Sequence, residues 1–193
     1  MSLEDRTSIA LKHTNDTTKL VRIGAEQLLL DFNTLSNVDI NGLTKSRNEL
    51  EDMLFSNADF SNGLMQLGDY YFQTNDIKNA FKHYHAAIKK DSLLVPAYSN
   101  LASCYSMDNQ PKQALKDLNK AISLEPSNSR YLYNLATYYY QNKNFEEAEK
   151  VIKSALNLEK YNQDYKYLLA LIYQEQGKTS AAQLIMQGSN SNQ

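Results

Sequence analysis

The stretch PAYSNLASCYSMDNQPKQALKDLNKAISLEP, residues 96–126, contains NLASCY at 100–105, and NLATYY follows at 134–139. The interval is 34 residues. Stepping by 34 from the small residue Ala102 reaches Gly68, Ala136 and Ala170. One residue earlier the same step gives Leu67, Leu101, Leu135 and Leu169, and three residues later Tyr71, Tyr105, Tyr139 and Tyr173. Two further small-residue series run in register, Ala80, Ala114, Ala148, Ala182 and Ala87, Ala121, Ala155. No insertion breaks the register. A period of this length marks a supersecondary unit that cannot bury its apolar face alone and must stack on copies of itself.

The local pattern gives the unit its shape. Leu64, Leu67, Tyr71 and Leu101, Cys104, Tyr105 recur at spacings of three and four, the period of a helix face. Polar breaks (QTND at 73–76, MDNQP at 107–111, QNKN at 141–144, EQGK at 175–178) divide each unit into two helices. Pro111 falls where a first helical turn tolerates a missing N–H. Small residues at fixed positions let two helix backbones approach closely, and tyrosines and leucines fill the space between units.

This pattern resembles the tetratricopeptide repeat, a helix-turn-helix unit of 34 residues. Its small residue at position 8, aromatic at 11, alanines at 20 and 27 and proline at 32 fall on the series above. The units are 61–94, 95–128, 129–162 and a partial fourth at 163–188, with 189–193 expected as a disordered tail. Departures are mild. Ser92 and Lys160 stand where only Pro126 supplies the terminal proline, and position 24 holds Tyr84, Leu118, Ile152 and Met186. The last unit lacks the alanine that closes the others, which suggests a frayed cap. The resemblance implies an all-α solenoid, a right-handed superhelix whose first helices line a concave groove.

Residues 1–60 read differently. Two helices are expected at 4–14 and 17–32, with an N-cap in NDT. DTTKLVRIGAEQLLLDF resembles the second helix of a HEAT repeat through Asp16, Val21, Arg22, Ala25 and Leu29, which makes 1–42 a HEAT-like segment. After the polar break NTLSNVDING, LTKSRNELEDMLF reads as an amphipathic helix with Leu43, Leu50, Met53 and Leu54 inward. Ser46 lies 34 before Ala80, so residues 43–60 read as a degenerate repeat covering the end of the array. A HEAT-like segment leading into tetratricopeptide repeats is similar to the C-terminal region of some bacterial multihaem c-type cytochromes. That likeness implies an excised fragment, periplasmic if its parent is secreted, although the chain has no haem-attachment motif.

Composition excludes several classes. An apolar fraction of 42% and a charged fraction of 22% are those of a soluble globular protein. A net charge of −2 gives no electrostatic reason to expect nucleic acid or anionic lipid as a partner. No apolar run approaches the roughly 20 residues that span a bilayer, and MSLEDRTSIALKH lacks the long apolar core of a secretory signal, so the chain as written reads as cytoplasmic. The single Cys104 rules out an internal disulfide.

Catalytic candidates are thin. His83 and His85, two apart on a helix, point about 200° away from each other and cannot chelate one metal. His13 stands alone on a polar helix. Cys104 reads as a small buried thiol. Glu146, Glu147 and Glu149 open a helix and offset its dipole, a solvated first turn. There is no Gly-rich phosphate loop. The reading is of a non-enzyme without metal, nucleotide or haem.

The resemblance directs attention to the groove positions of the first helices. In the first repeat these include Met65, Asp69 and Phe72; in the second, Ser99, Asn100, Ser103 and Met107; in the third, Arg130, Tyr133, Asn134, Thr137 and Tyr140; in the fourth, Tyr167 and Leu171. Aromatic and methionine side chains with few charges suit the binding of another chain. Alternatively Tyr133, Tyr140 and Tyr167 pack on their neighbours. Co-chaperone relatives hold a peptide carboxylate with basic and amide residues at five such positions, occupied here by Met65, Asp69, Asn100, Arg130 and Asn134. Asn100 and Arg130 suit that role, and Asp69 would repel the carboxylate. The expected function is a scaffold holding a peptide or helix of a partner protein. The alternatives are a docking domain of a larger redox enzyme and self-association through exposed repeat ends.

Overall fold

The computed structural model describes residues 3–13, 19–31 and 44–190. Eleven helices occur among them: α1 (Leu3–His13), α2 (Lys19–Asp31), α3 (Thr44–Ser56), α4 (Ser61–Gln73), α5 (Ile77–Lys90), α6 (Val95–Met107), α7 (Pro111–Leu124), α8 (Ser129–Gln141), α9 (Phe145–Leu158), α10 (Gln163–Glu175) and α11 (Thr179–Asn190). No strand occurs among the described residues. The fold is an all-α array of tetratricopeptide-like helix pairs behind a short helical region. The N-cap expected at 15–17, the polar break at 33–42 and Leu43 lie outside the described residues, as do 191–193. α11 runs through Gly188 to Asn190, beyond the expected end of the fourth unit.

Helix boundaries follow local chemistry. Asp76 accepts from the Asn79 backbone N–H at 3.1 Å and caps α5. Asn162 caps α10 by accepting from the N–H groups of Asp164 and Tyr165. Pro111 opens α7. These groups satisfy or remove donors that a helix start leaves unpaired. At the turns, one position of every unit is left-handed: Asn75 (φ 61°), Asn109 (φ 53°), Lys143 (φ 59°) and Gly177 (φ 75°). Asn and Gly tolerate that region; Lys143 does so at a cost.

The chain forms two compact units, Met1–Ala97 and Tyr98–Gln193. In the first, Ile23, Leu50, Leu54, Leu67 and Tyr70 form the core, with Met53 and Tyr71 packed against it. α3 packs between α2 and α4. Two ion pairs tie α2 to α3. Arg22 grips Glu49 with both prongs of its guanidinium (2.8 and 2.6 Å), and the buried Glu26 accepts from Ser46 Oγ and Arg47 Nε, each at 3.1 Å. Ser46, at the small-residue position, is fully buried, so it serves both as spacer and as donor.

In the second unit, Ala102, Ala114, Leu118, Leu135 and Tyr138 form one core and Ala136, Ala148, Ile152, Ala155, Leu168 and Ile172 another. The small-residue series are buried throughout: Gly68, Ala80, Ala87, Ala102, Ala114, Ala121, Ala136, Ala148, Ala155, Ala170 and Ala182. A larger side chain at any of them would force the paired helices apart.

Candidate functional site

The residues expected to bind stand on the first helix of each pair. Met65, Asp69 and Phe72 stand on α4 in the N-terminal unit, each half-buried. Asp69 is engaged within its own pair, accepting from the Tyr84 hydroxyl at 2.7 Å. Its carboxylate therefore serves the α4–α5 contact.

In the C-terminal unit the candidates separate into buried, half-buried and exposed groups. Ser99 is buried, and its Oγ accepts from Asn134 Nδ2 at 2.8 Å. This bond joins α6 to α8 and takes up polar atoms that the sequence offered to a ligand. Ser103 and Thr137 donate their hydroxyls to the carbonyls of Ser99 (3.3 Å) and Tyr133 (3.0 Å) on their own helices. Asn100 is half-buried.

The aromatics divide likewise. Tyr133 is half-buried and stacks on Tyr165 of α10, ring centroids 5.1 Å apart and planes 22° from parallel. Tyr140 is half-buried and tilts against Phe145 at 5.9 Å. Both pack on the core beneath them. Tyr167 is 54% exposed and Met107 53% exposed, while Arg130 is also exposed and Leu171 half-buried. The face thus presents half-covered aromatic edges, two exposed large apolar side chains and one guanidinium.

Sequence reasoning missed Tyr165. Its buried hydroxyl lies 3.0 Å from Ser129 Oγ, and that hydroxyl donates to Glu159. Tyr131 and Tyr165 lie 34 apart, so the register itself carried the signal.

Glu149 is a correction. It does not simply solvate a first turn. It is half-buried and accepts from Lys153 Nζ at 2.5 Å and, across to the next pair, from Lys178 Nζ at 2.7 Å. Those hydrogen bonds hold its carboxyl down at about 2. Both ammonium groups also lie over the Tyr173 ring, at 5.5 and 5.2 Å. Glu146 and Glu147 are exposed in the first turn of α9, as expected.

The other chemical candidates are placed by packing. His83 is 6% exposed and lies parallel to the Tyr71 ring, centroids 5.3 Å apart, whereas His85 is exposed. Cys104 is fully buried. Among the described residues no group of three His, Cys, Asp or Glu side chains is placed to hold a metal, and no helix is long and apolar enough to cross a membrane.

The architecture defines a class: helical-repeat proteins built from successive helix pairs. Within that class, the tetratricopeptide-repeat family model matches residues 107–172. The crystal structure of MamA protein is similar with a TM-score of 0.61 at 16% identity, covering 97% of this chain and 91% of that one. The first tetratricopeptide domain of Spaghetti (RPAP3), solved bound to the HSP90 peptide SRMEEVD, has a TM-score of 0.57 at 23% identity, covering 62% of this chain and 95% of that one. The Arabidopsis OM64 tetratricopeptide domain has a TM-score of 0.56 at 22% identity, covering 61% and 98%. At these identities the likeness is one of fold. Comparison with curated proteins finds no significant match.

Proposed function

We propose that this chain is a protein-interaction scaffold whose α8–α10 face holds a peptide or helix from a partner protein. The observation that carries the reading is the exposure of Tyr167 beside the half-covered Tyr133 and Tyr140 on packed neighbouring helices. A tyrosine gives large contact area with few rotors to freeze, and its hydroxyl can meet a polar partner. The RPAP3 domain, solved with a peptide, supports a peptide ligand for a face of this kind.

In this reading the candidate residues divide into floor and contact surface. Tyr133 and Tyr140 form the floor, since both pack on the core. Tyr167, Met107 and Arg130 are free to be covered by a ligand. Ser99 and Asn134 hold the floor together, and Asp69 stays with Tyr84. A ligand of mixed polarity fits this surface.

The test is to pan a displayed random-peptide library on the protein and measure selected peptides by fluorescence anisotropy. Tyr167→Ala is expected to weaken them tenfold or more, about 1.4 kcal/mol. Lys150→Ala, on the exposed side of α9, is the control and should change nothing. Selected peptides that ignore Tyr167→Ala and Arg130→Ala but are lost with Lys150→Ala would remove this face from consideration.

A further inference from the structure

A second surface lies at the end of the array, apart from the α8–α10 face, and the repeat register exposes it. At position 22 the first three repeats carry Lys82, Lys116 and Lys150, all exposed. The fourth carries Leu184, which is 70% exposed. At position 4 the relation inverts. Leu64, Tyr98 and Leu132 occupy it in the first three repeats, and Lys166 in the fourth. Just before the fourth repeat, position 32 of the third carries Lys160, where the first two have Ser92 and Pro126. The last repeat is therefore apolar where the others are charged, and charged where they are apolar.

These departures meet in space. A cleft of about 600 Å³ between α9, α10 and α11 is lined by Leu156, Leu169, Leu184 and Ile185, with Lys160 and Lys166 at its edge. Both ammonium groups flank the Tyr161 ring, 5.7 and 5.8 Å from its centroid, which gathers the two charges at one place. Tyr161 is itself 68% exposed. No carboxylate lines the cleft among the described residues. The nearest in sequence, Glu159, is occupied with Ser129 and Asn162.

We propose that this cleft docks an acidic amphipathic segment of a partner protein, an α-helix with leucine-type side chains on one face and carboxylates beside them. The leucines enter between Leu156, Leu169, Leu184 and Ile185, and the carboxylates meet Lys160 and Lys166. An exposed leucine in an otherwise lysine-bearing position gains only when something covers it. Two ammonium groups on the rim of an apolar cleft select an anionic companion and disfavour a cationic one. A basic segment, which would suit an acidic groove, is repelled here.

The experiment uses the full chain and a fluorescein-labelled helical peptide of about 16 residues, roughly four turns. The peptide has leucines at i and i+4 and glutamates flanking them. Binding is read by anisotropy at low and high salt. The expected result is saturable binding that weakens with salt and falls at least tenfold when the glutamates become glutamines. Leu184→Lys, which restores the residue of the other three repeats on an exposed helix position, should cost tenfold or more with an unchanged circular dichroism spectrum. Lys160→Glu with Lys166→Glu should do the same, and Tyr167→Ala should have no effect, which separates this site from the α8–α10 face. Three results would overturn the proposal. One is binding that survives both Leu184→Lys and the lysine reversals. Another is binding to phosphatidylserine vesicles with none to the peptide. The third is a dimer in sedimentation velocity that Leu184→Lys dissolves, which would assign the cleft to a second copy of the chain.

Discussion

Gly68 occupies the position held by Ala102, Ala136 and Ala170 in the other units, and replacing it by alanine tests the packing argument at a single atom. A Cβ on Gly68 would stand 2.5 Å from both Cδ1 and Cε1 of Tyr84 and 3.0 Å from its Cγ. Carbon atoms in contact normally sit roughly 3.5–4.0 Å apart, so the ring must retreat by about 1 Å. It has nowhere to go: Tyr84 is 1% exposed and its hydroxyl is held by Asp69 at 2.7 Å. Adding a methylene to a filled core costs about 1–3 kcal/mol, and a pinned ring belongs at the upper end. Displacing the hydroxyl from Asp69 adds about 1 kcal/mol. Alanine's better helix propensity returns about 1 kcal/mol. The expected net loss is about 3 kcal/mol.

The companion substitution makes the prediction specific. Where position 8 is alanine, position 24 is Leu118, Ile152 or Met186; only where it is glycine is position 24 a tyrosine. Tyr84→Leu in the Gly68→Ala background recreates the Ala102–Leu118 pair. The two changes should be coupled favourably by about 1.5 kcal/mol or more, as expected for residues in contact. Urea unfolding followed by circular dichroism measures the cycle. Hydrogen exchange on α4 and α5 localises the loss, because repeat arrays can open locally. A Gly68→Ala protein as stable as its parent, or two strictly additive substitutions, would refute the reasoning.

Two other outcomes follow from the backbone and from burial. Lys143→Gly should raise stability by about 0.5–1 kcal/mol in urea titration, because a left-handed lysine carries a steric cost that glycine lacks while glycine loses more chain entropy on folding; an unchanged or lower midpoint would contradict this. His83 should make the N-terminal unit acid-sensitive. Burial, and then Lys82, lower its pKa below 6.5, Glu51 opposing, and its Nδ1 has no hydrogen-bond partner. The folded state therefore prefers the neutral ring while the unfolded chain takes up a proton near 6.5. Stability is complete above that pH and is lost as pH falls from there toward the depressed folded value. Replacing His83 by Phe, which keeps a ring beside Tyr71, should flatten the fall in urea midpoint between about pH 7.5 and 5.5; an equal fall in both proteins would place the sensitivity elsewhere.

The helix pairs and the buried alanines were legible in the sequence because close approach of two helices recurs at fixed points in each unit and admits only small side chains. Periodicity reports that constraint directly. It also assigned Leu50 and Leu54 to the inner face of α3 and Cys104 to the interior, where they are found. What periodicity does not report is which polar group a side chain chooses among neighbours that the fold brings equally near. Ser99 and Asn134 share one register face with Tyr167, yet the first two bond each other across 35 residues and only Tyr167 is left largely exposed. Asp69 could have faced a ligand and instead meets Tyr84; Glu149 could have stayed in solvent and instead reaches Lys178. Those choices depend on distances of a few tenths of an ångström between side chains of different helices. A hydrogen bond exists at 2.8 Å and is gone one ångström further out, whereas an apolar contact tolerates that error. The repeat register thus determined where the helices lie, and the packed side chains alone decided which of its surface positions remain open to a partner.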